Sequence, residues 1–247
     1  MSRALALGRI SGIRVTIHWT WLVLFALVTW SFASIFEGDG RGPSIVLCAL
    51  GAALVFASLI AHELAHALVA RRFGVGTHAI TLFLFGGAAI LESEPPTPRA
   101  EIAIAIAGPI ASAILGGLAF GGDSLFARLG GPAAGAASDL CAILASSNLA
   151  IALFNLLPAF PMDGGRLVRA VLWHLRGHRA SATALASLTG LVSAAAFAAA
   201  GAYMLYSQRE WSYAWLLLMS AFVARSAWNG YRDARLLERI ELLAPAA

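Results

Sequence analysis

"LIAHELAHALVARR", residues 59–72, decides how this chain is read. Ser44 to Ile60, the run that leads into it, is seventeen residues without an acidic or basic side chain. His62, Glu63 and His66 then fall inside what reads as the same helix, which closes on Arg71 and Arg72. Residues four apart on a helix are about 6 Å apart along the axis and about 40° apart in rotation, so His62 and His66 face one side. Glu63, about 100° from His62, reaches a water beside a shared ion without being a ligand. His-Glu-x-x-His on a helix is the spacing of a zinc site whose glutamate serves as general base. Ionisable groups within a membrane span are costly and mark function. One structural histidine would be ordinary, but that does not explain three such groups on one stretch.

Outward from this segment the chain is 60% hydrophobic and only 12% charged, against about 25% charged for a soluble domain. Mean hydropathy is +0.78. Uncharged runs recur at His18–Phe36, Ser44–Ala61, Ile102–Gly122, Leu140–Met162, Ser181–Gln208 and Trp211–Ala224. Several reach the roughly 20 residues that cross about 30 Å of hydrocarbon; the last is short unless its helix continues past Arg225. The expected fold is an all-α polytopic membrane protein in a single domain, 1–247. About six spans are expected, roughly 17–36, 44–71, 100–122, 139–160, 181–207 and 211–230.

All seventeen basic residues are arginine. A pI near 9.7 invites a nucleic-acid reading, but the arginines stand at the ends of apolar runs and read as topology signals. Arg3, Arg9 and Arg14, then Arg71 and Arg72, then Arg166, Arg169, Arg176 and Arg179, then Arg225, Arg232, Arg235 and Arg239 fall on one side. The alternate loops carry Glu37, Asp39 and Arg41, then Asp123, Arg128 and Asp139, then Arg209 and Glu210. The positive-inside rule then places both termini in the cytoplasm, in a multi-pass protein of the cell membrane. The first apolar run is too long for a cleavable signal peptide. Cys48 and Cys141 fall in expected spans, and no disulfide is expected.

Between the second and third spans, "VGTHAITLFLFGGAAILESEPPTP" (75–98) is too short for two spans and too apolar for a free loop. Thr81–Phe85 is rich in strand formers and Gly86-Gly87 is a two-residue turn signal, so a short membrane-associated β-hairpin is expected over 77–92. Such backbone survives at membrane depth where protein covers it or water reaches it. An interfacial loop packed by its phenylalanines is the alternative. Residues 1–16 read as a short amphipathic or extended lead-in to an interfacial His18, Trp19 and Trp21. Ala107-Gly108-Pro109 and Gly116-Gly117 read as small residues for close helix packing.

A catalytic zinc takes three protein ligands and keeps one position open, and acids in the spans are few. "NLLPAFPMDGGRLVRA" (155–170) supplies Asp163 where Pro158 and Pro161 interrupt the fourth span. The alternative for Asp163 is an N-cap of the segment starting at Gly164. The second and fourth spans both run toward the cytoplasm, so the two half-sites are expected at one depth in the cytoplasmic half of the bilayer.

HELAH in one span, Gly86-Gly87 after it and Asn155 to Gly165 in a later span together resemble the site-2 protease family of intramembrane zinc metalloproteases. The resemblance runs from His18 to about Arg169. It implies one zinc per chain on His62, His66 and Asp163, with Glu63 as catalytic base. By the same resemblance Asn155 stabilises the transition state or binds substrate, and the 77–92 hairpin helps to present substrate. The implied substrate is a single-span membrane protein cut near its cytoplasmic end, an extended segment adding to the hairpin edge. Some members carry PDZ or CBS domains; this chain is expected to be a core form without them. A zinc-binding membrane transporter or permease is the rival reading, and a silent scaffold a third. A transporter predicts polar residues along a path across several spans, whereas here they collect at one depth. Asn148 reads as a packing residue, while His18, His78, His174 and His178 carry no metal role by spacing.

Overall fold

The computed structural model describes residues 4–37, 44–84 and 86–243. Arg3, Asp39, Arg41 and Phe85, used above as topology or strand signals, lie outside the described residues. The chain forms two compact units, Met1–Pro95 with Ala107–Leu153, and Pro96–Ile106 with Phe154–Ala247.

The first unit opens with a hairpin, β1 (Ala4–Ile10) and β2 (Ile13–His18). Ser11 and Gly12 turn it with φ of 52° and 84°, the left-handed pair that a two-residue turn between twisted strands requires. Two helices follow, α1 (Thr20–Glu37) and α2 (Ile45–Arg72). They return the chain so that β3 (Thr77–Phe83) pairs parallel to β2, from Arg14↔Ala79 to Ile17↔Leu82. A parallel pair needs a long crossover, and these helices supply it. β4 (Gly86–Leu91) then pairs antiparallel to β3, giving the order β1-β2-β3-β4.

The sheet corrects two expectations. It has four strands rather than two, because the lead-in is itself a hairpin docked on β3. Ile13 and Val15, then Ile80 and Leu82, are buried at alternate positions, as one covered sheet face requires. Gly86 and Gly87 are not the turn: pairing runs to Phe83↔Gly86, so both belong to the return strand. Gly86 has φ of 124°, a conformation side chains avoid.

α2 covers this sheet. Ala67 packs with Ile13 and Ile80, with Leu64 and Ala89 beside them. Arg71 Nη2 donates to the Ser11 carbonyl at 2.7 Å, tying the end of α2 to the β1–β2 turn. Trp21 and Phe25 of α1 lie on Phe56 of α2, ring centres 5.0 and 6.0 Å apart. The helix carrying HELAH is thereby held against both α1 and the sheet.

α3 (Pro98–Leu129) and α4 (Pro132–Asn155) are joined only by Gly130 and Gly131, both at positive φ. The expected charged loop is absent. Asp123, Arg128 and Asp139 sit on the helices, where Ser138 Oγ donates to Asp123 Oδ1. Gly116 lets the helices approach, since a Cβ there would stand 3.4 Å from the Ala145 carbonyl and Asn148 Cβ.

The second unit contains α5 (Asp163–Arg176), α6 (Arg179–Gln208) and α7 (Ala214–Leu243). Gly177, at φ of 74°, ends α5 with the left-handed residue common after a helix. Ala159, Met162, Ala194 and Val223 form the core. The Pro158–Pro161 connector is gripped through Phe160. A Cβ at Gly190 would come within 2.5 Å of the Phe160 carbonyl, and one at Gly230 within 2.9 Å of its ring. Buried Arg169 forms an ion pair with fully buried Glu101, its Nε donating to Oε1 at 2.6 Å.

Among the described residues four helices are long and apolar enough to cross a membrane: α2, α3, α4 and α6. About six spans were expected. The apolar stretch of α1, Thr20–Ala33, is short, and α7 carries Arg225, Arg232, Arg235 and Arg239. Large apolar side chains point outward along these helices, with Leu118 70% and Val192 71% exposed, as suits lipid as a solvent.

Candidate metal centre

In the first unit His62 and His66 are buried, at 1% and 3% exposure. Their Nε2 atoms stand 3.2 Å apart and their ring planes are 80° apart. The four-residue spacing on α2 thus converges two ring nitrogens on one point. His62 Nδ1 lies 3.0 Å from Ser112 Oγ, which is itself fully buried. A hydroxyl accepting Nδ1–H leaves the Nε2 lone pair outward, the tautomer that a metal-ligating histidine uses.

The space in front of these nitrogens is kept by Gly108. A Cβ built there would fall 2.5 Å from His62 Nε2 and closer still to His66 Nε2. Gly108 precedes Pro109 inside α3, and its missing side chain fits a cation held by the two imidazoles. The small residues read as packing devices therefore include one that guards the candidate site. A glycine between a proline and a histidine pair four apart is the signal that composition alone hides.

Glu63 is fixed by the sheet. The Ala89 N–H donates to its Oε2 at 3.0 Å. A Cβ at Gly87 would meet Glu63 Cγ at 2.9 Å, so the second glycine of the pair is needed for the carboxylate to lie along β4. Asn148, 1% exposed, donates from Nδ2 to Ser58 Oγ at 3.1 Å and to the Leu144 carbonyl at 2.9 Å. Ser58 lies one turn before His62, and Asn148 braces α2 there.

In the second unit Asp163 is the first residue of α5 and is 7% exposed; Met162 is the N-cap. The capping alternative for Asp163 is thereby set aside. The connector doubles back tightly on this helix start. A Cβ at Gly164 would lie 2.5 Å from the Leu156 carbonyl carbon, and one at Gly165 2.6 Å from that of Ala159. Asn155, half-buried, ends α4, so Asn155 and Asp163 flank the connector.

The remaining histidines are placed elsewhere. His18 Nδ1 lies 2.8 Å from Thr20 Oγ1 at the start of α1. His78 lies 3.6 Å from a Glu92 oxygen, both well exposed. His174 and His178 are split by the end of α5, and His178 stands at the N-cap position of α6 without a side-chain capping bond.

The model of peptidase family M50 matches residues 50–127 and 120–198, which include HELAH, Gly108 and the Asn155–Asp163 connector. Rip3 from Mycobacterium tuberculosis is 44% identical over 210 residues, covering 81% of this chain and 52% of Rip3. The protein sll0528 from Synechocystis sp. is 34% identical over 245 residues, covering 98% of this chain and 63% of the relative. Both are named as zinc metalloproteases. The chain thus spans about half to five-eighths of the length of these relatives. Among solved structures, the site-2 protease from Methanocaldococcus jannaschii is similar, with 28% identity and a TM-score of 0.62. That match covers 93% of this chain and 95% of the other.

Proposed function

Because the chain belongs to peptidase family M50, the site-2 protease family, we propose that it is an intramembrane zinc metalloprotease acting on membrane-spanning proteins. The observation that carries this reading is the pair of buried imidazole nitrogens, 3.2 Å apart, facing the gap left by Gly108. By membership of that family, His62, His66 and Asp163 are the residues that would hold one zinc. Asp163 is the ligand supplied by α5, a buried carboxylate at a helix start held by two glycines. When bound, zinc makes a water acidic enough to attack near neutral pH and polarises the carbonyl under attack.

The chain's own groups do the rest. Glu63 takes the proton of the attacking water and returns it to the leaving amine. Asn155 donates its amide N–H to the oxyanion. Substrate must present an extended segment, because a helix keeps its peptide groups paired, and the outer edge of β4 offers the complementary strand.

The chain works as one transmembrane metalloprotease domain with six spans, α1 and α7 joining the four longer apolar helices. The arginine distribution places both termini in the cytoplasm of a cell-membrane protein, with the cut near that side. The reading is tested in proteoliposomes holding the protein and candidate single-span proteins. Cleavage that stops on chelation and returns with zinc is the expected result. Zinc flux without any cleavage would turn the assignment to a transporter.

Gly108→Ala separates the site from the fold. In a helix interior alanine is favoured over glycine by up to about 1 kcal/mol, so a packing glycine predicts an unchanged or better-folded protein. Here the methyl overlaps both Nε2 atoms, and zinc affinity is expected to drop at least tenfold while helicity is kept. Metal analysis with circular dichroism decides it, and full zinc occupancy would refute the cradle.

A further inference from the structure

Glu63 and the outer edge of β4 compete for one hydrogen-bond donor. β4 ends the sheet, so β3 engages only one of its sides. The Ala89 N–H is turned away from β3 and donates to Glu63 Oε2 at 3.0 Å. Gly87, two residues earlier and on the same side, would place a Cβ 3.4 Å from Glu63 Oε1. The Gly87 contact brings Glu63 in over the sheet face, and the Ala89 bond puts its Oε2 where the carbonyl of a further strand would sit. Any strand added there in antiparallel or parallel register has to accept the Ala89 N–H with its own carbonyl. One N–H cannot serve both acceptors in line.

We propose that docking of an extended substrate segment on the outer edge of β4 displaces Glu63 from Ala89, so that the base is released only when substrate is seated. This rests on the reading of Glu63 as catalytic base and of β4 as the docking edge. An amide bond to a carboxylate is roughly twice as strong as one to a carbonyl, so a single peptide carbonyl does not displace Glu63 alone. A segment spanning the six residues of Gly86–Leu91 recovers the difference through its other ladder bonds. A short peptide does not. The carboxylate thus keeps its resting place on β4, with Oε2 held by Ala89, until a long segment is seated, and turnover depends on how much strand the substrate brings.

The test uses the full chain, loaded with zinc in detergent, and two peptides sharing one cleaved bond. One is long enough to pair along β4; the other is trimmed to a few residues about the bond. In the wild type, trimming is expected to lower kcat at least tenfold. Ala89→Pro removes the N–H at an edge position where proline is tolerated. In it the two peptides are expected to agree in kcat within twofold, while KM for the long peptide rises. Gly87→Ala crowds Glu63 away from β4 with a methyl 2.9 Å from its Cγ, keeps the Ala89 N–H, and is expected to abolish the length dependence as well. It answers the question where proline alters the strand, and zinc content checks each fold. Persistence of the trimming effect in both variants overturns the proposal, as does loss of all turnover with zinc retained, since Ala89 then only braces Glu63. Failure of the wild type to cut either peptide, or equal cutting by Glu63→Gln, instead removes the protease reading itself.

Discussion

Glu63→Gln is expected to keep the metal and lose the hydrolysis. Glutamine has the same length, and its side-chain carbonyl still accepts the Ala89 N–H that Glu63 Oε2 accepts. Its Cγ meets Gly87 no differently. His62 and His66 are untouched, with His62 Nδ1 still on Ser112. What disappears is the capacity to take a proton from water and hand it on, which is worth about 10²–10⁴-fold in rate. Zinc content should match the wild type, and cleavage of a reconstituted single-span protein should fall by that factor. A variant that cuts within a few-fold of the wild-type rate would show that another group moves the proton.

The most legible part of the site was the part written in local spacing. His62, Glu63 and His66 lie within five residues, and a helix period converts their separation directly into a shared face. Apolar runs are local too, and among the described residues four of them fall on helices long and apolar enough to cross a membrane. What sequence could not convey was the partner of each group. Ser112 is one serine in an apolar helix, and Gly108 looks like many packing glycines until the histidines stand opposite it. Gly86-Gly87 reads as a turn because diglycine usually is one, yet Gly87 is there to admit Glu63. The β1–β2 hairpin was missed although Ser11-Gly12 is a turn dipeptide, since β1 and β2 gain a sheet only through β3, some sixty residues on. Short charged stretches misled in the opposite direction. Asp123, Arg128 and Asp139 looked like a loop, but two glycines make the turn and the charges ride on the helix ends.

The largest stability effect is expected at Glu101, which no motif singled out. Its carboxylate is fully buried in the second unit and paired with Arg169, itself 7% exposed. The Arg169 guanidinium also lies 5.6 Å over the Phe160 ring, within the connector that precedes Asp163. Removing one partner of a buried ion pair leaves the other charge unpaired and costs about 3–5 kcal/mol. Glu101→Ala should accordingly lower the unfolding midpoint in detergent by on the order of 10 °C. The penalty belongs to the stranded charge rather than to the pair's net attraction, since Glu101 Oε2 has no hydrogen-bond partner among the described residues. The double variant Glu101→Leu, Arg169→Met should therefore recover most of the loss, because neither charge remains to be desolvated. Arg169 stands six residues after Asp163 on α5, so the single variant should also release zinc below its unfolding temperature, as the connector slackens around Phe160. A midpoint shift of under about 1 kcal/mol equivalent in Glu101→Ala would mean that water reaches Arg169, and that the pair is no part of what holds α5 in place.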